Sequence, residues 1–367
     1  MIMNLLDRRR AVAALFAAAT SLGGRIGGAA EADLAADAPL RPLRLGQIGV
    51  GHGHASKLAV YRNSPDWEVV GICEPDAGLR AAAEKQKSFQ GLPWMSRDEL
   101  LAVDRLDAVL VETKPDSSLE HSAAAIAAGK HVHLDKPAGT SLPAYRKILE
   151  EAHSRKLVVQ MGYMFRFNPA VMLLREFLDQ GWLGDVFEAS AVMSKVVEPA
   201  ARKEFSRFPG GMMFELGCHV IDLLVAVLGK PDRVESVMRH SLLSADDTLA
   251  DNTLAILHYP RAITTVRASA LEVEGFSRRH LTVCGTQGTF HIQPLDDPSV
   301  RITLDRDRGV FQKGITEVPF PNFTRYIADA AEMAAIIRGE MASPFTPDHD
   351  LAVQETVLLA GGMRIDD

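Results

Sequence analysis

Between residues 43 and 163 the sequence alternates short apolar runs with longer amphipathic ones, and this alternation restricts the fold more than any other feature. The apolar runs lie at 43–50, 67–73, 106–112, 131–135 and 157–163, each of strand length, with helix-forming stretches at 77–88, 117–128 and 144–154 between them. Strands that are apolar throughout and joined by helices form a parallel sheet covered on both faces. In such a sheet ligands bind outside the carboxyl ends of the strands. The residues just past each apolar run are therefore where chemistry is expected.

The first run ends in Gly49-Val50-Gly51-His52-Gly53-His54, followed by a helix-compatible stretch at 55–62. Glycine at 49 permits a tight turn, and glycine at 51 lets the backbone approach a pyrophosphate, whose charge is favoured at a helix amino terminus. Gly49, Gly51, Gly53 and His54 are thus cofactor-binding candidates, with His54 standing where the dinucleotide fingerprint has Gly or Ala. The second run ends on Glu74, about 20 residues beyond the turn, where a carboxylate accepts hydrogen bonds from ribose hydroxyls and repels a 2′-phosphate. No arginine follows immediately, so NAD is expected over NADP. Thr113, directly after the third run, joins the cofactor candidates.

The fourth run lies in Gly129-Lys130-His131-Val132-His133-Leu134-Asp135-Lys136-Pro137. A residue before proline is held extended, so Lys136 is a fixed cation at a strand end and a candidate catalytic group. A second interruption of apolar sequence occurs at 212–228, read as one helix carrying Glu215, His219 and Asp222. Glu215 and His219 are four apart and share a helical face, which predicts that the carboxylate orients the imidazole. Tyr163 and Arg166 follow the strand that leads into the next domain and are candidate substrate neighbours together with Asp222. The pairs His52/His54 and His131/His133 are read as packing or helix-facing residues, and no metal is expected.

From residue 185 onward, strand-like segments at 185–197, 233–241, 252–259, 262–271, 280–285 and 289–293 succeed one another with turn signals between them. The fold class expected is α/β: a Rossmann doubly wound parallel sheet at 43–160, then an α+β substrate and oligomerisation domain at 161–320 with a largely antiparallel open sheet. Helices at 321–367 pack on the domains. At 367 residues and 47% hydrophobic content the chain is long enough for two cores. Its formal charge of -7, with both signs interspersed, excludes the basic footprint of a nucleic-acid binder. Cys73, Cys218 and Cys284 are far apart and suggest neither a zinc site nor a disulfide framework.

Asp7-Arg8-Arg9-Arg10 precedes an uncharged stretch of apolar and small residues at 11–24, too short to span a bilayer. With the small-residue steps around Ala30-Glu31-Ala32, residues 1–32 read as a twin-arginine-type signal and 33–42 as a linker. Periplasmic or other export is expected, with no membrane span in the mature chain. The twin-arginine route carries folded proteins with their cofactors.

These pieces, in this order, resemble the glucose-fructose oxidoreductase, inositol dehydrogenase and rhizopine-catabolism (Gfo/Idh/MocA) family. The resemblance covers nearly the whole chain after the signal. It rests on the glycine turn, Glu74, the run from Ala128 to Pro137, Gly162-Tyr163-Met164-Phe165-Arg166-Phe167-Asn168-Pro169, the segment 210–222, and Asp350-Leu351-Ala352-Val353-Gln354. It implies reversible hydride transfer between a nicotinamide and a secondary alcohol or hemiacetal carbon of a sugar or polyol. It further implies that Lys136, Glu215 and His219 surround the nicotinamide and the reacting alcohol, with His219 as base, Glu215 orienting it, and Lys136 both on the substrate oxygen and among the cofactor-binding residues. A homodimer or homotetramer is implied as well. Asp135 and Glu215 depart from the family's usual Glu and Asp, and Ser118 from a frequent His. Two alternatives stay open: an NAD-assisted glycoside hydrolase or isomerase without net redox change, and a non-catalytic sugar-binding relative. Export favours a tightly bound NAD, because free NAD is scarce outside the cytoplasm.

Overall fold

The computed structural model describes residues 41–242, 247–320 and 323–366. The expected signal at 1–32 and most of the linker lie outside them. Strands β1 (Leu43–Ile48), β2 (Trp67–Cys73), β3 (Ala108–Val111), β4 (His131–Leu134) and β5 (Val159–Met161) form a sheet of order β2-β1-β3-β4-β5. Every pairing in it is parallel. All four residues of β3 are buried, as a strand covered on both faces requires. A single parallel bridge from Ile72 to Trp94 extends the sheet beyond β2, which completes the strand order of dinucleotide-binding sheets. The strand order reverses between β1 and β3, so the crevice at their carboxyl ends faces the glycine turn.

Local sequence sets the helix boundaries. Ser96 and Glu99 form a capping box that starts Arg97–Leu101, while Pro115 occupies the first turn of Pro115–Ala127. Ser141 accepts from the Ala144 amide to start Leu142–Ser154.

The second sheet has eight strands: β6 (Val186–Ser194), β7 (Arg233–Arg239), β8 (Asn252–His258), β9 (Ile263–Ser269), β10 (His280–Gly285), β11 (Gly288–Ile292), β12 (Ser299–Leu304) and β13 (Gly314–Pro319). Their order is β13-β12-β11-β10-β6-β9-β8-β7, antiparallel except for the parallel pair β6–β9. Strands β12 and β13 go beyond the six strand-like segments read from the sequence. In β12 only Val300, Ile302 and Leu304 face the core and polar residues alternate with them, a weak signal over so short a run.

The helix expected at 212–228 is broken. A π-helical turn covers Met213–Gly217 before regular helix resumes at Cys218–Leu228. Gly210 and Gly211 precede the turn, and Gly211 has φ +47° with the Ala250 carbonyl oxygen 2.4 Å from where a Cβ would lie. Glycine is needed there on both counts.

The late helices tie the halves together. Ala330, Met333 and Ala334 of the helix Ile327–Ile337 join Leu45, Ile72 and Leu110 of the first sheet in one core, and the Trp67 indole donates to the Ala330 carbonyl at 3.0 Å. The helix Pro347–Ala360 packs against Cys218–Leu228 and supplies Asp350 and Gln354 to contacts described below.

Candidate active site

Lys136 emerges at the end of β4 and is 2% exposed. Its Nζ donates to the Glu215 carbonyl oxygen at 2.9 Å and to Glu215 Oε1 at 2.9 Å. Burial works against its charge, but Glu215, Cys218 and Asp135 overcome that and hold the ammonium above the ordinary lysine value. Two of its three donors are spent on Glu215, and the third is left for a ligand. The following loop is pinned by Gln354, which accepts from the Ala138 amide at 3.1 Å and donates to the Gly139 carbonyl at 2.7 Å.

His219 is buried beside this pair, with ring centroids of His54 and Phe165 each at 5.8 Å and of Tyr163 at 6.3 Å. Its Nδ1 has no hydrogen-bond partner among the described residues. Burial, then the nearby Lys136 ammonium, hold the ring well below the usual histidine value, so it is neutral. The expectation that Glu215 orients His219 is corrected: the carboxylate turns to Lys136. The π-helical turn carrying Glu215 abolishes the regular four-residue spacing on which that expectation relied.

At the glycine turn, Gly49 has φ +88°, and a Cβ there would lie 2.4 Å from Thr113 Cγ2. Thr113 thus packs against the turn. Among the described residues, the amides of Gly51 and Gly53 have no protein acceptor, and a Cβ on Gly53 would meet nothing within 4 Å. Glu74 accepts from the Val50 amide at 2.9 Å and the Asp76 amide at 3.0 Å, which fixes its carboxylate at the end of β2 with further lone pairs available. Free amides above a bare glycine turn, with a fixed carboxylate beside them, fit the pyrophosphate and ribose of a dinucleotide.

Below the site lies a network that the sequence reading missed. Lys57, fully buried, places its ammonium 2.5 Å from Asp135 Oδ2, 2.9 Å from Glu112 Oε1 and 3.0 Å from His133 Nε2. His133 Nδ1 is in turn 2.9 Å from Gln160 Oε1. His52 and His54 approach the same Asp135, at 3.4 and 3.2 Å. Burial opposes the charge on Asp135, but His52 and Lys57 hold its carboxyl well below the usual carboxylate range. Glu112, His133 and Asp135 have metal-ligand spacing, but the cation among them is Lys57. The signal available was a polar residue at or near the carboxyl end of four of the five strands: Gln47, Glu112, His133 and Gln160.

Arg166 and Asp222 are corrected as substrate residues. The Arg166 guanidinium is buried and spends its Nε and Nη2 on Asp222 at 2.6–3.1 Å and on Asp350 Oδ1 at 2.5 Å, so this edge and the Asp222 carboxylate are engaged with each other. Tyr163 is buried with its hydroxyl unpartnered among the described residues, and its ring packs edge-on to His219.

Two family models match the chain. One, described as an oxidoreductase family with an NAD-binding Rossmann fold, matches residues 43–163. The other, a GFO/IDH/MocA C-terminal domain, matches residues 171–291. Trans-1,2-dihydrobenzene-1,2-diol dehydrogenase of Macaca fuscata fuscata is 30% identical over 225 residues, 59% of this chain and 65% of that protein. The chain therefore spans slightly less than two thirds of that relative. The Homo sapiens enzyme of the same name is 28% identical over 253 residues, covering 67% of this chain and 73% of that one. The structure of UDP-N-acetylglucosamine 3-dehydrogenase from Acidithiobacillus ferrooxidans superposes with a TM-score of 0.72 at 20% identity, covering 89% of this chain and 99% of that chain, a likeness of fold.

Proposed function

Because the chain belongs to the Gfo/Idh/MocA family of NAD-binding oxidoreductases, we propose that it transfers hydride between a nicotinamide and a ring or chain secondary alcohol, or hemiacetal carbon, of a sugar or polyol. The observation that carries this reading is the Lys136–Glu215 ion pair set beside the unpartnered Nδ1 of His219. The name of the macaque relative, a dehydrogenase of a 1,2-diol, supports a secondary alcohol as the reacting group.

NAD, when bound, supplies the hydride acceptor. The turn that begins at Gly49 would hold the pyrophosphate through the free amides of Gly51 and Gly53, and Glu74 would hold the adenosine ribose. The carboxylate of Glu74 disfavours a 2′-phosphate, so the nucleotide is NAD in preference to NADP. Lys136 donates its third hydrogen to the substrate oxygen and stabilises the negative charge that builds there as the C–H bond breaks. His219 accepts the hydroxyl proton on its imidazole, whose neutrality leaves a lone pair for it. Glu215 keeps Lys136 charged and aimed.

The protein is exported with its nucleotide tightly held and works as a homodimer or homotetramer. Asp7-Arg8-Arg9-Arg10 and the uncharged stretch after it support export. If export depends on them, replacing Arg8 and Arg9 with lysine retains the protein in the cytoplasmic fraction, and unchanged fractionation removes that part of the reading.

The activity is tested with purified protein, NAD, and a panel of cyclic 1,2-diols, aldoses and polyols. The expected result is reduced-nicotinamide absorbance that appears with substrate. Product formed without net nicotinamide reduction points instead to the hydrolase or isomerase chemistry.

A further inference from the structure

The reading above leaves a proton on His219, and the surroundings of that ring cannot keep it. His219 is buried, its Nδ1 has no protein partner among the described residues, and Glu215, on the preceding helical turn, is taken by Lys136. An imidazolium there would sit buried beside the Lys136 ammonium, and the attraction of Asp135 is too weak to offset both.

His54 is differently placed. It closes the glycine turn, and its side chain reaches the end of β4, where Nδ1 lies 3.2 Å from Asp135 Oδ1. Asp135 is fixed from every side, accepting also from the Lys136 amide at 2.7 Å and from buried Lys57. A carboxylate that takes Nδ1–H of an imidazole sets the tautomer and leaves Nε2 as the acceptor. The ring of His54 faces His219 and Tyr326, with both centroids at 5.8 Å, and its side chain is partly exposed while His219 is buried. It therefore stands between the buried ring and solvent.

Resting on the dehydrogenase reading, we propose that His54, backed by Asp135, takes the substrate's proton from His219 and releases it to solvent. The proton balance is complete. As the carbinol C–H bond breaks with hydride going to the nicotinamide, the O–H bond breaks with its proton going to the His219 imidazole and the carbonyl forms. That proton passes to His54 Nε2, whose positive charge Asp135 neutralises, and then to water. The groups facing His54 are Asp135, Lys136, His52, His219 and Tyr326. Burial holds His54 down to about 4 despite Asp135, so the ring is empty of its second proton and ready to accept one at neutral pH. His52, which shares Asp135, is pushed up to about 9: burial opposes its charge, but Asp135 outweighs it.

Two arms test this. Turnover of the responding alcohol is measured in the parent, H54N and D135N, with NAD binding followed by fluorescence and folding by circular dichroism. The relay predicts that H54N, at saturating NAD, loses about a hundredfold in kcat, that added imidazole restores part of it, and that its solvent deuterium isotope effect increases. In the second arm, histidine nitrogen resonances of NAD-bound protein are recorded, with H54N used to assign His54. A hydrogen-bonded Nδ1–H on His54 that is lost in D135N supports the relay, and a His54 signal indifferent to D135N overturns it. H54N at the parent kcat with an unaltered isotope effect also overturns it and leaves the dehydrogenase reading intact. A parent that binds NAD and oxidises no alcohol removes both.

Discussion

Lys136 and Glu215 form an ion pair across the two domains, the ammonium 2.9 Å from both the carboxylate and the carbonyl oxygen of the same residue. One residue thus supplies two acceptors, which aims a buried lysine more tightly than a carboxylate alone would. The glutamate in place of the family's aspartate adds a methylene that the pair accommodates.

Replacing Lys136 with methionine keeps most of the volume and removes the donor. The expected loss in kcat is about a hundredfold to a thousandfold, the range for a preorganised donor at a developing oxyanion. NAD affinity measured by fluorescence titration should change little. In the parent, Lys136 is held above the ordinary lysine value, so it remains charged and produces no basic limb in kcat below about pH 10. In E215Q the largest compensating charge is gone while burial remains. The value falls, and activity is lost as pH rises through it. A pH profile of kcat for E215Q identical to the parent's would contradict this.

Glu74 is bonded to the turn it faces, through the amides of Val50 and Asp76. E74A should weaken NAD binding by about tenfold or more, as for a lost charge-assisted hydrogen bond, while NADP binding strengthens. Parallel titrations with the two nucleotides measure the ratio. E74A that keeps the parent's preference would assign the discrimination to other residues.

How much of this was legible follows from what each signal encodes. The parallel sheet was readable because a strand buried on both faces is apolar throughout, as in Ala108–Val111. Lys136 was readable because it ends such a strand before a proline. The bearing of Glu215 was not, since a single π-helical turn at Met213–Gly217 leaves no mark in hydrophobic periodicity. Nor was Lys57: a lysine on a short helix is ordinarily solvated, and only the fold brings Glu112 and Asp135 around it. Arg166 and Asp222 lie 56 positions apart, and sequence spacing does not tell a buried fork from a binding pair.

That fork makes a stability prediction. Arg166 serves two buried carboxylates, Asp222 and Asp350, and stacks on the Phe345 ring at 3.8 Å. R166M leaves both acids without their cation and should destabilise by about 3–5 kcal/mol. Urea denaturation reads this directly. A loss under about 1 kcal/mol would mean that the fork is replaceable.

Asp329, in the first turn of the helix Ile327–Ile337, is raised by burial to about 7 despite the attraction of Lys57. An acid whose value is higher folded than unfolded binds its proton more tightly in the native state. Stability therefore falls as pH rises from the unfolded value to about 7 and levels off above it. The slope contributed by one such group is at most about 1.4 kcal/mol per pH unit. Glu332, also raised by burial to about 7, adds in the same direction. Melting temperatures of D329N between about pH 5 and about pH 8 should show a shallower decline than the parent's. An equal decline in both would exclude Asp329 as its source.

Gln354 makes the last link from the C-terminal helix to the catalytic lysine. Its amide accepts from the Ala138 amide and donates to the Gly139 carbonyl, two groups immediately beyond Lys136-Pro137. Removing the side chain leaves a buried donor and a buried acceptor unpaired, at a cost of about 1–3 kcal/mol for each such group. The loop can recover part of that by shifting, and a shift moves Lys136 away from Glu215. Q354A should therefore lower kcat by more than its loss of stability at the assay temperature explains, with NAD affinity largely kept. Q354E separates the two bonds, because a carboxylate still accepts from Ala138 but cannot donate to Gly139. If the loop is held mainly from Ala138, Q354E keeps most of the activity that Q354A loses. Equal kcat in Q354A and the parent, measured well below both melting temperatures, would show that Lys136 is positioned without Gln354.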